Sequence, residues 1–213
     1  MNNDIRDVDT QIEETALNIA KLAFDEIIRL IWEDQSFFIK LGFEICKFPS
    51  LVIERYRWEK FERLARGIKS DPVFETKFAD KITNSENRDQ FAKRIVAILD
   101  KIDEIEKVDF IINATRALCW NKIDHTGYFR ICHVIKNVYY EDLIFLKENF
   151  RKGRFFKNDI TVQALTLNNL MYAAVLGGGT SNLNEMSETH TFTELGCLVC
   201  EYSLNYEKVN LLN

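Results

Sequence analysis

The sequence contains few residues that interrupt regular secondary structure. Among its 213 residues, only two are proline and eight are glycine. Because both residue types break helices, their scarcity favours long helices, as do the many Leu, Ile, Glu, Lys and Arg residues. A composition of 46% hydrophobic and 29% charged residues is ordinary for a globular protein. We therefore expect a mainly α-helical chain with a hydrophobic core of its own.

An excess of positive charge is also absent. The chain has 28 basic and 33 acidic residues, and its formal net charge is −5. Nucleic-acid binding without sequence preference needs many Lys and Arg side chains to neutralise phosphates. The charge balance therefore disfavours that class of protein, although a local basic patch would still allow a nucleic-acid contact.

The sequence pattern lacks targeting and membrane-spanning segments. The N-terminus is acidic and polar, without the basic start and apolar run of a signal peptide. The most apolar stretch, residues 37–53, is interrupted by Lys40, Glu44 and Lys47, whereas a spanning helix needs about 20 mostly uncharged residues. Five scattered cysteines, an odd number, are typical of reduced thiols. These features predict a cytoplasmic protein without a transmembrane segment, and they leave open a helix lying on a membrane surface.

Residues 9–33 have the hydrophobic spacing of an amphipathic helix. Apolar residues recur in steps of three and four, with polar residues between them. The stripe that they form has to be buried against the rest of the chain or against a second copy. This helix is therefore the expected surface for homo-oligomer formation. Its apolar positions are Ile12, Ala16, Ile19, Ala20, Ala23, Ile27, Leu30 and Ile31.

Further helices are indicated by periodicity and by capping residues. Asp71 before Pro72 is a typical helix start, and Asp124 would cap the helix that follows it. Thr83 and Glu86 match a capping box ahead of a helix whose apolar stripe runs to residue 105. The other predicted helices cover residues 36–48, 51–69, 107–120, 125–138, 141–151, 161–176 and 194 to about 206.

The last sixty residues have the layout of a winged helix. A predicted helix over residues 161–176 is followed by a run of three glycines, a polar stretch and Phe192. The glycines would form the turn of a β-hairpin, the wing, with Phe192 on its returning strand. We expect a multi-helix domain over residues 1–150 and a winged-helix-like module over residues 151–213, with the boundary at 151–158. A plain helical hairpin with a loose loop is the alternative. The apolar positions of the helix before the wing are Leu165, Leu167, Leu170 and Ala174.

Candidate ligand residues near the C-terminal end form no complete site. Cys197 and Cys200, with His190 upstream, would supply three zinc ligands. A structural zinc site needs four ligands, usually from two such pairs, and the sequence has no second pair. Buried cysteines in an apolar helix are the preferred interpretation. The glycine run at 177–179 is followed by Thr180 without a lysine, so a phosphate-binding loop is not expected.

A cysteine–histidine pair is the arrangement that would suggest nucleophilic catalysis. Cys119, His125, Cys132 and His133 lie close in the sequence, and a dyad needs a thiol within hydrogen-bond reach of an imidazole. Both cysteines lie among apolar residues, which predicts that they are packed in the core. We therefore expect no catalytic residues, no cofactor and no metal.

Two clusters of basic residues are candidates for contact with nucleic acid or with an acidic partner. In the first, acidic and aromatic residues alternate with the bases, which is typical of a solvated face with internal ion pairs. The second precedes the predicted winged helix, and it would equally suit the positive charge favoured at the end of the preceding helix. The first cluster comprises Arg55, Arg57, Lys60, Arg63, Arg66 and Lys69, and the second comprises Arg151, Lys152, Arg154 and Lys157.

The predicted winged helix has few side chains suited to DNA. Helices that read bases present Arg, Lys, Asn or Gln to them, and this one offers Gln163, Asn168 and Asn169 without a basic residue. From Tyr140 to Asn213 the chain has six basic and nine acidic residues, a net charge of −3. A protein-contact module is therefore favoured, and a winged-helix DNA-binding regulator is the alternative.

Several short motifs are spread over the middle of the chain. They are Arg57-Trp58-Glu59-Lys60-Phe61-Glu62-Arg63-Leu64, Leu99-Asp100-Lys101-Ile102-Asp103, Glu106-Lys107, Ile123-Asp124, Phe129-Arg130 and Tyr140-Glu141-Asp142-Leu143. With them, roughly residues 25–150 resemble a loose group of small helical bacterial and prophage proteins on mobile elements, some grouped with abortive-infection proteins. The resemblance implies a context of phage–host conflict, as defence or counter-defence, and supplies no catalytic residues. The predicted function is that of a non-enzymatic protein that binds another protein or itself.

Overall fold

The described residues fall into two units. The computed structural model describes residues 52–83, 88–150, 160–175 and 188–206. Residues up to Lys101 belong to one unit and those from Ile102 onward to another. The prediction of a mainly α-helical fold is confirmed. The amphipathic helix predicted at 9–33 and the helix at 36–48 lie outside the described residues. Of the predicted capping box, Thr83 is the last residue of a helix and residues 84–86 lie outside the described part of the chain.

The described part of the N-terminal unit, residues 52–83 and 88–101, contains three helices. They are α1 (Val52–Lys69), α2 (Pro72–Thr83) and α3 (Arg88–Asp100). The start of α2 follows the prediction, because Asp71 Oδ1 accepts hydrogen bonds from the backbone N–H groups of Val73 and Phe74, at 2.9 and 3.3 Å. The buried apolar side chains of this unit are Phe61, Leu64, Ile68, Phe74, Phe78, Phe91, Ile95, Ile98 and Leu99.

The C-terminal unit begins with three helices. They are α4 (Lys107–Cys119), α5 (His125–Asn137) and α6 (Tyr140–Asn149). Asp124 caps α5 as predicted, since its Oδ1 accepts a 2.6 Å hydrogen bond from Gly127 N. Most of α4 is buried, because α5 covers one side of it and residues 200–204 cover another. Inside this core, Thr115 Oγ1 lies 3.0 Å from the buried hydroxyl of Tyr128.

The rest of the unit contains the predicted hairpin. Its elements are α7 (Ile160–Leu167), β1 (Met171–Val175), β2 (Glu188–Phe192), α8 (Glu194–Val199) and a π-helix (Cys200–Leu204). The strands are antiparallel, with Met171 opposite Phe192 and Val175 opposite Glu188. Phe192 lies on the returning strand, as expected. The predicted glycine turn lies outside the described residues.

The helix predicted over 161–176 is wrong in its second half. It ends at Leu167, and the chain then forms β1. Asn169 has a positive φ of 57°, Leu170 N donates to Leu165 O, and Asn169 N donates to Thr166 O, both at 2.9 Å. These bonds form a Schellman motif, which satisfies the last carbonyls of a helix and stops it. Leu165 and Leu170 are both fully buried, which supplies the apolar contact of that motif.

The final helix changes its hydrogen-bond pattern. It starts at Glu194 as predicted, with Thr193 as its cap, but it continues as a π-helix from Cys200. Ser203 joins this segment to α4 twice: its Oγ donates to Phe110 O and its carbonyl accepts from Asn113 Nδ2, both at 2.9 Å. The segment that these two bonds join to α4 is thus the π-helix, whose turn is wider than that of an α-helix.

The predicted module boundary at 151–158 lies outside the described residues. The two units divide between Lys101 and Ile102, and the elements after residue 160 group with α4 to α6. A separate module over residues 151–213 stays a prediction. None of the described helices has the length and apolar character needed to cross a bilayer.

Candidate protein-interaction surface

One side of α7 faces solvent with apolar side chains. Val162 and Leu165 are fully buried, whereas Ile160, Gln163 and Leu167 are exposed. The exposed residues are spaced by three and four, so they share one side of the helix. We call Ile160, Gln163 and Leu167 the α7 face.

The α7 face is unusually apolar for a solvated helix side. The exposed fractions of Ile160 and Leu167 are 83% and 87%, the highest among the exposed large hydrophobic residues in the described part of the chain. Tyr172, the second residue of β1, is half exposed. Clustered exposed apolar side chains are typical of surfaces that bind other proteins.

Sequence reasoning missed this face. The sequence pattern assigns Leu165 and Leu167 to apolar positions of one helix over residues 161–176. Residues two positions apart point about 200° apart on an α-helix, so they cannot share one side of it. The signal that could have revealed two sides of this helix was the spacing of its residues. Val162 and Leu165 share one side, and Ile160, Gln163 and Leu167 share the other.

The end of α7 is fixed to the start of α8. Thr193 Oγ1 donates to Asn169 O at 2.7 Å, and Thr193 N donates to Leu170 O at 3.0 Å. The same Thr193 hydroxyl accepts a 2.9 Å bond from Gly196 N, which caps α8. A Cβ atom added at Gly196 would lie 2.1 Å from Leu170 O, so only glycine permits this approach. The α7 face is therefore held by a braced turn.

The α7 face, and the chain that follows it as far as residue 207, have no basic side chain. No residue of α7 is charged, and no Lys or Arg occurs from residue 158 to residue 207. Glu194 is exposed and follows Thr193, which bonds to the turn at the end of α7. Phosphate contacts need Lys, Arg or aligned N–H donors, so this surface suits a protein better than a nucleic acid.

Comparison with known proteins assigns the chain to no family. No family model matches it, and neither curated proteins nor solved structures give a match. What the chain does has to be inferred from its own side chains.

The basic residues predicted on α1 are largely engaged within the N-terminal unit. The Arg57 guanidinium pairs with both carboxylate oxygens of Asp100, with 3.1 Å between Nη2 and Oδ2. Arg66 Nη2 lies 2.5 Å from Glu62 Oε1. Lys60 is buried, and its Nζ lies 4.7 Å from the centre of the Tyr56 ring. These contacts support the interpretation of this stripe as a face with internal ion pairs.

The second basic cluster cannot be placed in the same way. Arg151, Lys152, Arg154 and Lys157 lie outside the described residues, and so does the run from Gly177 to Thr180. Their proposed contacts with nucleic acid, or with an acidic partner, stay predictions.

The described cysteines are poorly suited to nucleophilic chemistry. Cys119, Cys132 and Cys200 are buried, and the Cys200 thiol donates to Leu146 O across 3.8 Å. Burial, together with the neighbouring Cys197, raises the pKa of Cys200 well above its usual range, and burial and Glu201 raise the pKa of Cys197. A thiol reacts as its thiolate, so a raised pKa lowers its reactivity.

The three histidines are not gathered into one site. His125 and His133 are exposed on α5, and His133 Nε2 lies 2.9 Å from Asn137 Nδ2. His190 is 3% exposed on β2, where its Nδ1 has no hydrogen-bond partner. Within the described stretches of chain, no group of three or more His, Cys, Asp or Glu residues is placed to hold a metal ion.

Proposed function

We propose that this chain is a non-enzymatic protein-interaction protein that binds its partner through the α7 face. The observation that carries the proposal is the outward position of Ile160 and Leu167 on a helix without charged residues. Burying two such side chains against a partner is favourable by about 1.5–3 kcal/mol each. A braced turn lowers the entropy lost on binding, because the surface is already ordered.

A winged-helix-like arrangement supports the same reading. The order of α7, two antiparallel strands and α8 is the order expected of a recognition helix followed by a wing, and the residues that would form the wing turn lie outside the described part of the chain. In a DNA-binding protein of this type the outer side of the recognition helix presents polar and basic side chains to bases. Here that side carries Ile160 and Leu167, which favours a protein as the ligand.

The biological context is proposed from the sequence alone. The resemblance to helical bacterial and prophage proteins suggests a role in phage–host conflict. In that setting a non-enzymatic chain would act by capturing another protein or by self-association.

Site-specific photo-crosslinking tests the α7 face. A photoreactive amino acid placed at Leu167 should give a discrete protein adduct in the native host. The matched control is Val73 on α2, also an exposed apolar residue, at 58% exposure. Adducts of the same kind and yield from both positions, or adducts with nucleic acid from Leu167, would contradict the proposal.

A salt titration of DNA binding distinguishes the proposed function from the alternative, a DNA-binding regulator. Duplex DNA should bind weakly, if at all, at low salt. Tight binding with a steep salt dependence that flattens when Arg151, Lys152, Arg154 and Lys157 are changed to Ala would favour the regulator instead.

A further inference from the structure

One side of α5 faces solvent with polar side chains. Thr126, Arg130, His133 and Asn137 are all exposed, and they recur in steps of four, three and four residues. Side chains at these spacings lie on the same side of a helix. The opposite side of α5 is buried in the core of the C-terminal unit. We call Thr126, Arg130, His133 and Asn137 the α5 face.

The α5 face is basic, and its charge is not neutralised by neighbouring carboxylates. The helix contains no Asp or Glu, whereas Arg130 lies on the face and Lys136, which is partly exposed, follows His133 by three residues. Within the described stretches, no carboxylate forms an ion pair with Arg130 or Lys136. On α1, by contrast, Arg57 and Arg66 pair with carboxylates of their own unit. Two unpaired cations on one helix side attract an anionic ligand.

An exposed tyrosine lies at the end of this face. After Asn137 the chain is extended, with ψ angles of 139° at Val138 and 145° at Tyr139. Successive side chains of an extended segment point to opposite sides, and Val138 is buried, so Tyr139 points to solvent. The Tyr139 side chain is 69% exposed, and among the described residues its ring and hydroxyl have no partner. A large aromatic ring is therefore free to stack beside the basic helix side.

We propose that the α5 face and Tyr139 form a binding site for single-stranded nucleic acid. Phosphates bind at Arg130 and Lys136, and a base stacks on the Tyr139 ring. Proteins that bind single strands combine basic side chains along the backbone with aromatic rings on which bases stack. From Arg130 to Asn137 the helix rises by about 10 Å, which is the length of about three stacked nucleotides. This site goes beyond the proposed function and does not depend on the α7 face.

The side chains of the α5 face favour nucleic acid over an acidic protein. Protein interfaces are centred on apolar and aromatic side chains that become buried, and the α5 face itself has none. Its Arg, His, Asn and Thr side chains are hydrogen-bond donors of the kind that contact phosphate oxygens and base edges. An acidic protein segment would match the charge but would leave these donors without most of their acceptors.

The carboxylates on either side of the α5 face favour a short single strand over a duplex. Asp124 lies before α5, where it accepts the bond from Gly127 N, and Glu141 is exposed two residues after Tyr139. They confine the positive charge to the stretch between them, which is too short for the many phosphate contacts of a duplex. Glu141 repels a phosphate at the Tyr139 end, where a neutral base meets no such repulsion. Bases stack on protein rings when they are unpaired.

Fluorescence anisotropy with labelled oligo(dT) and oligo(U) tests the contribution of charge. The full chain should bind weakly at low salt, and a plot of log binding constant against log salt should have a slope of about −1.4, from about 0.7 for each of two phosphates. Changing Arg130 and Lys136 together to Ala should bring this slope close to zero. Arg66→Ala is the matched control, because it removes a cation that is already paired with Glu62, and it should leave the slope unchanged.

The same assay tests the stacking contact. Tyr139→Ala should weaken binding of the oligonucleotide by at least about fivefold with little change in the salt slope, whereas Tyr139→Phe should retain the wild-type affinity. Tyr172→Ala, at a tyrosine that is 50% exposed on β1, is the control and should have no effect. Circular dichroism should show the wild-type unfolding temperature for each variant, since the changed side chains lie at the surface.

Three results would overturn the proposal. The first is no binding of either oligonucleotide at the lowest salt concentration. The second is tighter binding of a DNA duplex than of its separate strands. The third is equally tight binding of poly-glutamate with no effect of Tyr139→Ala, which would indicate a site for acidic protein segments. None of these results bears on the Leu167 adduct, so the α7 face stands or fails by its own experiment.

Discussion

Gly196 lies where the neighbouring backbone leaves no room for a side chain. A Cβ at this position would lie 2.1 Å from Leu170 O and 3.0 Å from the carbonyl carbon. Both are backbone atoms, and Leu170 is held by the Schellman motif and by its bond from Thr193 N. Gly196→Ala should lower the free energy of unfolding by about 1–3 kcal/mol or more, as measured by urea denaturation.

Gly127 supplies the matched comparison. A Cβ there would lie 3.2 Å from Asp124 Oδ1, the end of a side chain that can adjust. Alanine is favoured over glycine inside a helix by about 1 kcal/mol, which offsets a small displacement of the cap. Gly127→Ala should therefore change stability by less than about 1 kcal/mol in either direction. An equal loss in both variants would show that the close approach at Leu170 is not the cause.

The buried phenol of Tyr128 should make the free energy of unfolding fall at alkaline pH. Burial, with the nearby Cys132 thiol, raises its pKa well above the ordinary value of 10.0, and the Thr115 hydrogen bond only partly opposes this. The folded state therefore keeps the phenol proton after the unfolded state has lost it. The corresponding stability is fully present below about pH 10 and falls as the pH rises toward the folded-state pKa, with a slope of about 1.4 kcal/mol per pH unit.

Tyr128→Phe isolates that contribution. Thr115 keeps its 2.8 Å bond to Ile111 O in this variant, so the core retains a partner for the hydroxyl. Urea denaturation between pH 9 and 11 should give a shallower fall for Tyr128→Phe than for the wild type. Parallel pH profiles would mean that Tyr128 ionises in the folded protein as it does in the unfolded one.

At the scale of single elements, capping chemistry made the helix starts predictable. Asp71 and Asp124 each accept a backbone N–H at the start of the helix that they were expected to cap. Thr193 does the same at the start of α8. Those signals are local, because the side chain and the amide lie two or three residues apart. The end of α7 was missed because its signal is weaker: asparagine adopts a positive φ only in some contexts, and here Asn169 does.

Asn169 therefore decides where α7 stops and β1 begins. Asn169→Gly should preserve or raise stability by a few tenths of a kcal/mol, because glycine adopts φ near 57° without strain. Asn169→Ala should lower the free energy of unfolding by about 1–2 kcal/mol. Thermal unfolding of both variants gives the order; an alanine variant at least as stable as the glycine variant would contradict the assigned role of this turn.

The exposed side of α7 also shows what sequence reasoning could not reach. The sequence indicates which residues are apolar, and periodicity assigns them to a buried side when the helix is long and regular. Because α7 ends at Leu167, no described element covers Ile160 or Leu167. The apolar residues of α7 are therefore divided between a buried side and an exposed side. Tertiary packing, which decides this division, is not a local property.

At the scale of the whole molecule, the C-terminal elements complete a core that begins far earlier in the chain. Val199, Cys200 and Leu204 are buried, and Asn205 Nδ2 lies 3.4 Å from Lys147 O. Contacts so distant in sequence leave no trace in local periodicity. The sequence therefore predicted most of the described helices and the two antiparallel strands, but not the end of α7 or the surface on which the final helix packs.

Two fragments test how far the predicted module is independent. A fragment of residues 102–213 should unfold cooperatively in circular dichroism, because it contains the α4 surface that the π-helix covers. A fragment of residues 151–213 should lack a cooperative transition, since Val199, Cys200 and Leu204 would lose their cover. A cooperative transition in the shorter fragment would establish the separate winged-helix-like module instead.

The bonds between Ser203 and α4 also bear on synthesis. Phe110 and Ser203 are separated by 93 residues, and the ribosome adds roughly 5–20 residues per second. One side of α4 therefore stays uncovered for about 5–20 s, until the segment that packs on it has been synthesised. During that interval the apolar residues of α4 are accessible to chaperones and to other nascent chains on the same mRNA. Slow translation of this stretch would therefore favour aggregation over folding.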